Sequence, residues 1–271
     1  MAKVRSERQG GFLFLTLNDA PTRNALSPEM VNELRAAFEA AAADAGVRAV
    51  ALRGANGTFC AGGSMGNFQK SQQTGAAAGE PDPIAANNRR FGEFMTALAG
   101  FPKVLVVAVE GAAMGGGFGL ACVADILLAR RDAKFALSET TLGLVPAQIA
   151  PFVVARIGQT RTRRLALSGE RIDGLEAERI GLVDFVAEDA TALEARLLAV
   201  LQGIARCAPG ANAATKNLIA QCGALPLGQV LDHASDMFAR QMRGEGGEGV
   251  AAFRDKRDAV WVERLERLPK P

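Results

Sequence analysis

Apolar positions along the chain repeat with two periods. Phe12 to Leu17 is a short apolar run that reads as a β-strand, and a polar loop follows it. Ser27-Pro28-Glu29 then opens a helix, with Ser as cap, Pro at the first position and an acid in the first turn. Val47 to Leu52 reads as the next strand, left by a turn over 53–57. Residues 69–83 are polar, Gly/Ala-rich and end in two prolines, which reads as a mobile surface loop. A helix is predicted from Ile84 to Leu98. Val104 to Val109 is continuously apolar, as in a strand buried on both faces. A glycine cluster and a helical stretch come next, then short strands at Ile126–Ala129 and Lys134–Leu137. Helices dominate from residue 149. Asp173 and Glu176 form a capping-box pattern, Gly181 closes that helix, and Val183–Ala187 reads as a last strand. Beyond residue 190 the pattern predicts helix only, through to Leu265. Strands alternating with helices, then a helical tail, give an α/β core over 1–200 and an α-helical C-terminal subdomain over 201–271.

Composition narrows the classes. The 271 residues carry a net charge of +2, which supports neither a nucleic-acid nor a membrane-surface partner. The N-terminus has no signal-peptide layout, and no stretch approaches the length of a membrane span. Cys60, Cys122, Cys207 and Cys222 are scattered and His233 is the only histidine, so no metal site is expected; buried thiols in a reducing cytoplasm fit better.

Three segments could build a site. Gly57 to Met65 is a turn of small residues that lets a ligand approach the backbone; an ordinary glycine-rich turn fits as well. Gly115-Gly116-Gly117-Phe118-Gly119-Leu120 stands at a helix start, where free N–H groups suit an anion or a developing oxyanion. Its spacing departs from a dinucleotide loop, which would need glycine at Leu120. Glu139 lies between a short strand and small, apolar residues, where a raised pKa suits proton transfer; a solvated glutamate is the plain alternative. A Ser-His-Asp hydrolase is disfavoured, because His233 sits in a helical stretch with no nucleophile elbow.

Taken in order, these segments resemble the crotonase (enoyl-CoA hydratase/isomerase) superfamily from about Phe12 to Trp261. Arg23-Asn24-Ala25-Leu26 is similar to the stretch that meets coenzyme A near its adenosine end. Cys60-Ala61-Gly62-Gly63 resembles the first oxyanion-hole loop, and Glu110 to Gly117 the second. Glu139 falls on a catalytic glutamate, and Phe253-Arg254-Asp255-Lys256 on a Phe-x-x-Lys pattern that approaches coenzyme A. The resemblance implies a spiral of ββα units and a C-terminal helical part that assembles trimers or dimers of trimers. It implies an acyl-CoA substrate with no permanently bound cofactor, and a thioester oxygen held by the N–H groups of Gly63 and Gly116. Arg23, Ala25, Leu26, Ala61, Gly62, Phe253 and Lys256 would contact coenzyme A, Lys256 from a neighbouring subunit.

Two departures and one local pattern refine this. Hydratases of the family carry two glutamates, and the first falls here on Gly119. Ser64 replaces a loop-ordering aspartate. Pro146-Ala147-Gln148-Ile149-Ala150-Pro151-Phe152-Val153-Val154 resembles hydratases of branched glutaconyl-CoA thioesters. In that company Gly119 would make room near the substrate's β-carbon, where such substrates branch, Pro146 would line the pocket, and Gln148 would meet the substrate's far carboxylate. Isomerisation of a 3-enoyl-CoA, or acyl-CoA binding without catalysis, are the alternatives.

Overall fold

The computed structural model describes residues 2–64, 66, 69, 75 and 82–271. The loop expected over 69–83 therefore lies mostly outside the described residues.

A hairpin begins the chain. β1 (Val4–Gln9) pairs antiparallel with β2 (Phe12–Leu17) around Gly10, whose φ is +55°. β1 escaped the sequence reading because VRSERQ buries only Val4 and so carries no apolar alternation. α1 (Pro28–Ala43) starts where expected, with the Ser27 side chain accepting the Met30 N–H. β3 (Ala49–Gly54), α2 (Pro83–Ala99), β4 (Val104–Val109), β5 (Ala112–Met114) and α3 (Gly116–Cys122) follow. Then come β6 (Ile126–Arg130), β7 (Lys134–Ala136), α4 (Ala150–Ser168), β8 (Arg171–Ile172), α5 (Gly174–Arg179) and β9 (Phe185–Ala187). The chain ends in α6 (Ala190–Ala205), α7 (Pro209–Gln221), α8 (Leu227–Arg243), α9 (Glu245–Arg254) and an irregular tail.

The large sheet runs β1-β2-β3-β4-β6-β9, parallel throughout except for the hairpin. A second, small sheet runs β5-β7-β8, and Cys60 extends it by a bridge to Ala113. Each winding thus places one strand in the large sheet and a shorter one in the small sheet, then crosses back through a helix. This is the expected spiral of ββα units.

Period-two alternation separates two cores. Phe12, Phe14, Ala49, Ala51, Val106 and Leu128 face α6, where Leu193, Leu197 and Leu201 meet them. Leu15, Leu17, Val50, Leu52 and Val107 face the helices and small sheet on the other side. α6 crosses the expected boundary at residue 200, and Leu265 of the tail returns to the same core.

Two buried arginines explain that return. The Arg48 guanidinium, over the Phe12 ring, donates to Ala205 O at 3.2 Å, Trp261 O at 2.8 Å and Cys207 O at 2.7 Å. The Arg53 guanidinium, over the Phe14 ring, donates to Pro269 O. These bonds hold residues 261–269 in a non-helical course and correct the helix expected there. Lys256, at φ +52°, ends the helical run.

Two smaller corrections concern side chains. Asp173 does cap α5, accepting the Glu176 N–H at 3.0 Å, but the Glu176 carboxylate pairs with Arg164 and Arg179 instead of reaching back. Cys60 and Cys122 are buried as expected, whereas Cys207 and Cys222 are exposed.

Replacing Arg48 by Met leaves three carbonyls without their donor. Urea unfolding at fixed protein concentration should show a loss of roughly 3–5 kcal/mol. The exposed Arg8–Asp44 pair, broken by Arg8→Met, should move the midpoint far less.

Candidate active site

The small sheet brings the separated sequence segments together. Arg23 and Asn24 are both left-handed, at φ +54° and +59°, and turn the chain back on itself. The buried Asn24 amide fixes this turn: Oδ1 accepts the Asp19 N–H at 2.7 Å, and Nδ2 donates to Thr58 O at 2.7 Å. The turn then clips onto the first glycine loop. Ala61 N–H donates to Arg23 O at 3.0 Å, and Leu26 N–H to Gly62 O at 2.8 Å. Leu26 and Gly63 form a bridge.

The first loop lies directly on the second. Cys60 N–H donates to Ala112 O at 2.7 Å, and Met114 N–H to Cys60 O at 3.0 Å. Gly62 has φ +98°, and a Cβ there would lie 2.9 Å from Met114 O. A Cβ at Gly117 would lie 2.7 Å from the Cys60 Cβ. Small residues are thus required on both sides of the contact. Gly116 opens α3, so its N–H has no acceptor within the helix.

Glu139 follows β7, the middle strand of the same sheet, at the start of a short 3-10 turn over Glu139–Leu142. Its Oε1 would lie 2.9 Å from a Cβ at Gly115, the residue before Gly116. Its Oε2 is buried with no hydrogen-bond partner among the described residues. Burial raises the carboxyl pKa above its ordinary 4.5, opposed by the residue's own backbone N–H. A carboxylate left in this state accepts a proton more readily than a solvated one.

α2 supplies a wall that the sequence reading missed. Phe91 Cζ would lie 3.7 Å from a Cβ at Gly116, and Met95 Cε 3.5 Å from one at Gly119. The signal was present in the i, i+3, i+4 spacing of Phe91, Phe94 and Met95, which faces the helix inward. Gly119 itself is a correction. A Cβ there would collide with Ile149 Cγ2 and lie 2.8 Å from Ile149 Cβ, so the buried Ile149 side chain occupies the space that glycine was expected to open. The neighbouring Gln148 reaches α2 at Gly92, and Pro146 is partly exposed on the same segment. Ala25 is buried and Ala61 and Ser64 partly so, all within the clipped loops. Arg23 is exposed, as are Phe253, at 88 %, and Lys256. Among the described residues no cluster of His, Cys, Asp and Glu could hold a metal ion, and no helix is long and apolar enough to cross a membrane.

This arrangement can be set beside known proteins. Residues 7–264 match the family described as enoyl-CoA hydratase/isomerase. The chain belongs to that family. A crystal structure of an enoyl-CoA hydratase/isomerase from Marinobacter aquaeolei superposes with a TM-score of 0.93 at 45% identity, covering 96% of this chain and 99% of the other. Pseudomonas aeruginosa AtuE superposes with a TM-score of 0.92 at 49% identity, covering 96% and 100%. Among curated relatives, a putative enoyl-CoA hydratase of Thermus thermophilus is 32% identical over 92% of this chain and 96% of its own length. The 2,3-dehydroadipyl-CoA hydratase of Escherichia coli is 31% identical over 95% and 97%. As a member of the enoyl-CoA hydratase/isomerase family with relatives so named, the chain is an enzyme of the hydratase type.

The buried carboxylate gives a pH test. Between the ordinary 4.5 and the raised pKa, the folded protein holds the Glu139 proton and the unfolded chain has released it. The stability this provides is complete below 4.5 and is lost as pH rises through the raised value. Glu139→Gln lacks this titration. Its stability relative to the wild type should rise from about pH 4 to about pH 8, followed by urea midpoints. A difference independent of pH would mean that the carboxylate is solvated.

Proposed function

We propose that this enzyme adds water across the α,β double bond of an enoyl-CoA of the branched glutaconyl type. Gly63 and Gly116 N–H groups hold the thioester oxygen, and Glu139 is its one catalytic glutamate. The observation that carries this reading is the half-buried Glu139 carboxylate, its Oε2 buried without a partner and its Oε1 lying against Gly115, beside the contact of the two glycine loops.

The chemistry follows from that placement. Water attacks the β-carbon: a C–O bond forms, the double-bond electrons move toward the thioester, and the oxygen becomes enolate-like. Two backbone donors aimed at that oxygen stabilise it, each worth about 2.7–4 kcal/mol in comparable sites. The water's proton passes to Glu139, and a proton returns to the α-carbon as the enolate collapses. One carboxylate with a free oxygen can perform both transfers in turn.

Support for the glutaconyl class comes from the Pro146–Val154 pattern and not from space at Gly119, which Ile149 fills. A relative whose name specifies 2,3-dehydroadipyl-CoA, a thioester with a second carboxylate, points the same way. Isomerisation is the second reading, favoured by the absence of a second carboxylate at position 119. Arg23, Ala25, Leu26, Ala61 and Gly62 would line the path of coenzyme A. Phe253 and Lys256 reach it from another subunit in a trimer or dimer of trimers. The exposed Leu227, Leu231, Phe238 and Met242 on α8 supply an apolar face for that assembly.

Two measurements test this. Incubation with a 3-branched glutaconyl-CoA, crotonyl-CoA and a 3-enoyl-CoA, read by mass spectrometry, should show gain of one water on the branched thioester. Glu139→Gln should slow this by about 10²–10⁴-fold. Unchanged mass with a shifted double bond makes the protein an isomerase, and retained affinity without Glu139-dependent turnover makes it a binder. For assembly, Leu231→Glu with Phe238→Glu should reduce the mass found by light scattering to that of one chain.

A further inference from the structure

Gly92, one turn after Arg89 on α2, is a buried glycine inside a helix. A Cβ there would collide with Gln148 Oε1 and lie 3.1 Å from Arg89 Nη1. The ends of two polar side chains therefore converge over the one position where α2 has no side chain. Arg89 comes from that helix and Gln148 from the segment that follows Glu139.

We propose that Arg89 and Gln148 form a carboxylate-reading subsite, which selects enoyl thioesters carrying a second, free carboxylate over neutral ones. This rests on the reading that the site takes acyl thioesters, and it assigns Arg89 and Gly92 roles that the sequence did not suggest.

Position comes first. Phe91 and Met95, on the inward face of α2, lie beside Gly116 and Gly119, so this helix covers the interior of the site, while the exposed Arg89 stands at its rim. Arg89 lies one to two turns outward from Met95, about 9 Å along the axis. Gln148 adjoins Ile149, which closes the pocket at Gly119. The pair thus stands outward of the closed end, where the far end of an extended acyl chain would arrive.

Charge comes second. Arg89 takes part in no ion pair and Gln148 in no side-chain hydrogen bond among the described residues, whereas the adjacent Arg90 is bonded to Asn87. A guanidinium presents a planar fork of donors and an amide adds two more, a set that matches one carboxylate. Such a partner answers a specific need. A dicarboxylic thioester brings a negative charge toward a site that already holds Glu139, and like charges in a poorly solvated pocket repel. A fixed cation at the far end offsets that repulsion and draws the chain out straight.

Gly92 comes third. It lets Gln148 rest on the helix beside Arg89, so even Gly92→Ala must displace the amide without removing any polar group.

The test compares kcat/KM for a 2-enedioyl-CoA and a neutral 2-enoyl-CoA of equal chain length. The wild type should favour the dicarboxylic thioester by about tenfold or more. Arg89→Met should abolish that ratio mainly through KM, Arg89→Lys should restore part of it, and Gly92→Ala should lower it. In parallel, binding of glutaryl-CoA and pentanoyl-CoA to Glu139→Gln is measured by calorimetry, with and without Arg89→Met. Arg89-dependent preference for glutaryl-CoA, with no turnover of either enoyl thioester by the wild type, would uphold the subsite and sink the hydratase reading. Turnover with no preference, a preference that survives Arg89→Met, or no binding of either thioester would overturn the subsite.

Discussion

The chain passes through Gly115 at φ +47° with its N–H bonded to Ala136 O at 2.9 Å and its missing side chain facing the Glu139 carboxylate. Two separate demands exclude any other residue. A left-handed backbone strains an L-residue, and a Cβ would press on Oε1. Meeting both fixes three things together: where α3 begins, how β5 stands beside β7, and where the carboxylate lies relative to the first N–H of the helix. Loop, helix start and acid are held by one backbone hydrogen bond and one missing methyl group.

The spiral supplies the frame for that contact. Each winding leaves the large sheet at the same end and lays a short strand into the small sheet, so segments far apart in sequence become neighbours there. Leu26 bridges Gly63, Cys60 bridges Ala113, and Ala113 pairs with Phe135. The two glycine loops and Glu139 thus occupy successive rungs of one ladder. The large sheet, with both faces covered, carries the stability that such a site consumes. A buried carboxylate oxygen without a partner is destabilising, and the two apolar cores offset it.

Much of this was legible in the sequence because it is local. Glycines where a backbone turns left or touches another backbone, a Ser-Pro-Glu helix start, and a strand apolar at every position each announce themselves over a few residues. What stayed hidden depends on distant partners. Nothing near Gly119 says that Ile149, thirty positions on, fills its space. Residues 255–265 have a helical composition, yet Arg48 and Arg53 capture the tail carbonyls and set another course. Glu176 matched a capping box, but two arginines compete for its carboxylate and win, holding its pKa down at about 2. The polar β1 is a strand only because β2 offers it an edge.

The Ile149–Gly119 contact also bears on the chemistry. A glutamate at position 119 would have to displace a buried isoleucine, so the missing second carboxylate is not a vacancy awaiting a side chain. In the proposed reading the site is packed for one acid, because Ile149 fills the space at Gly119. On the proposed hydration, the attacking water would then be oriented by Glu139 itself, by backbone groups of the two loops, or by the substrate. An apolar wall of Phe91, Met95 and Ile149 favours the first two, because it offers water no competing partner. In such a wall a single carboxylate with a free oxygen is the strongest acceptor within reach, and its own desolvation raises its basicity toward that task.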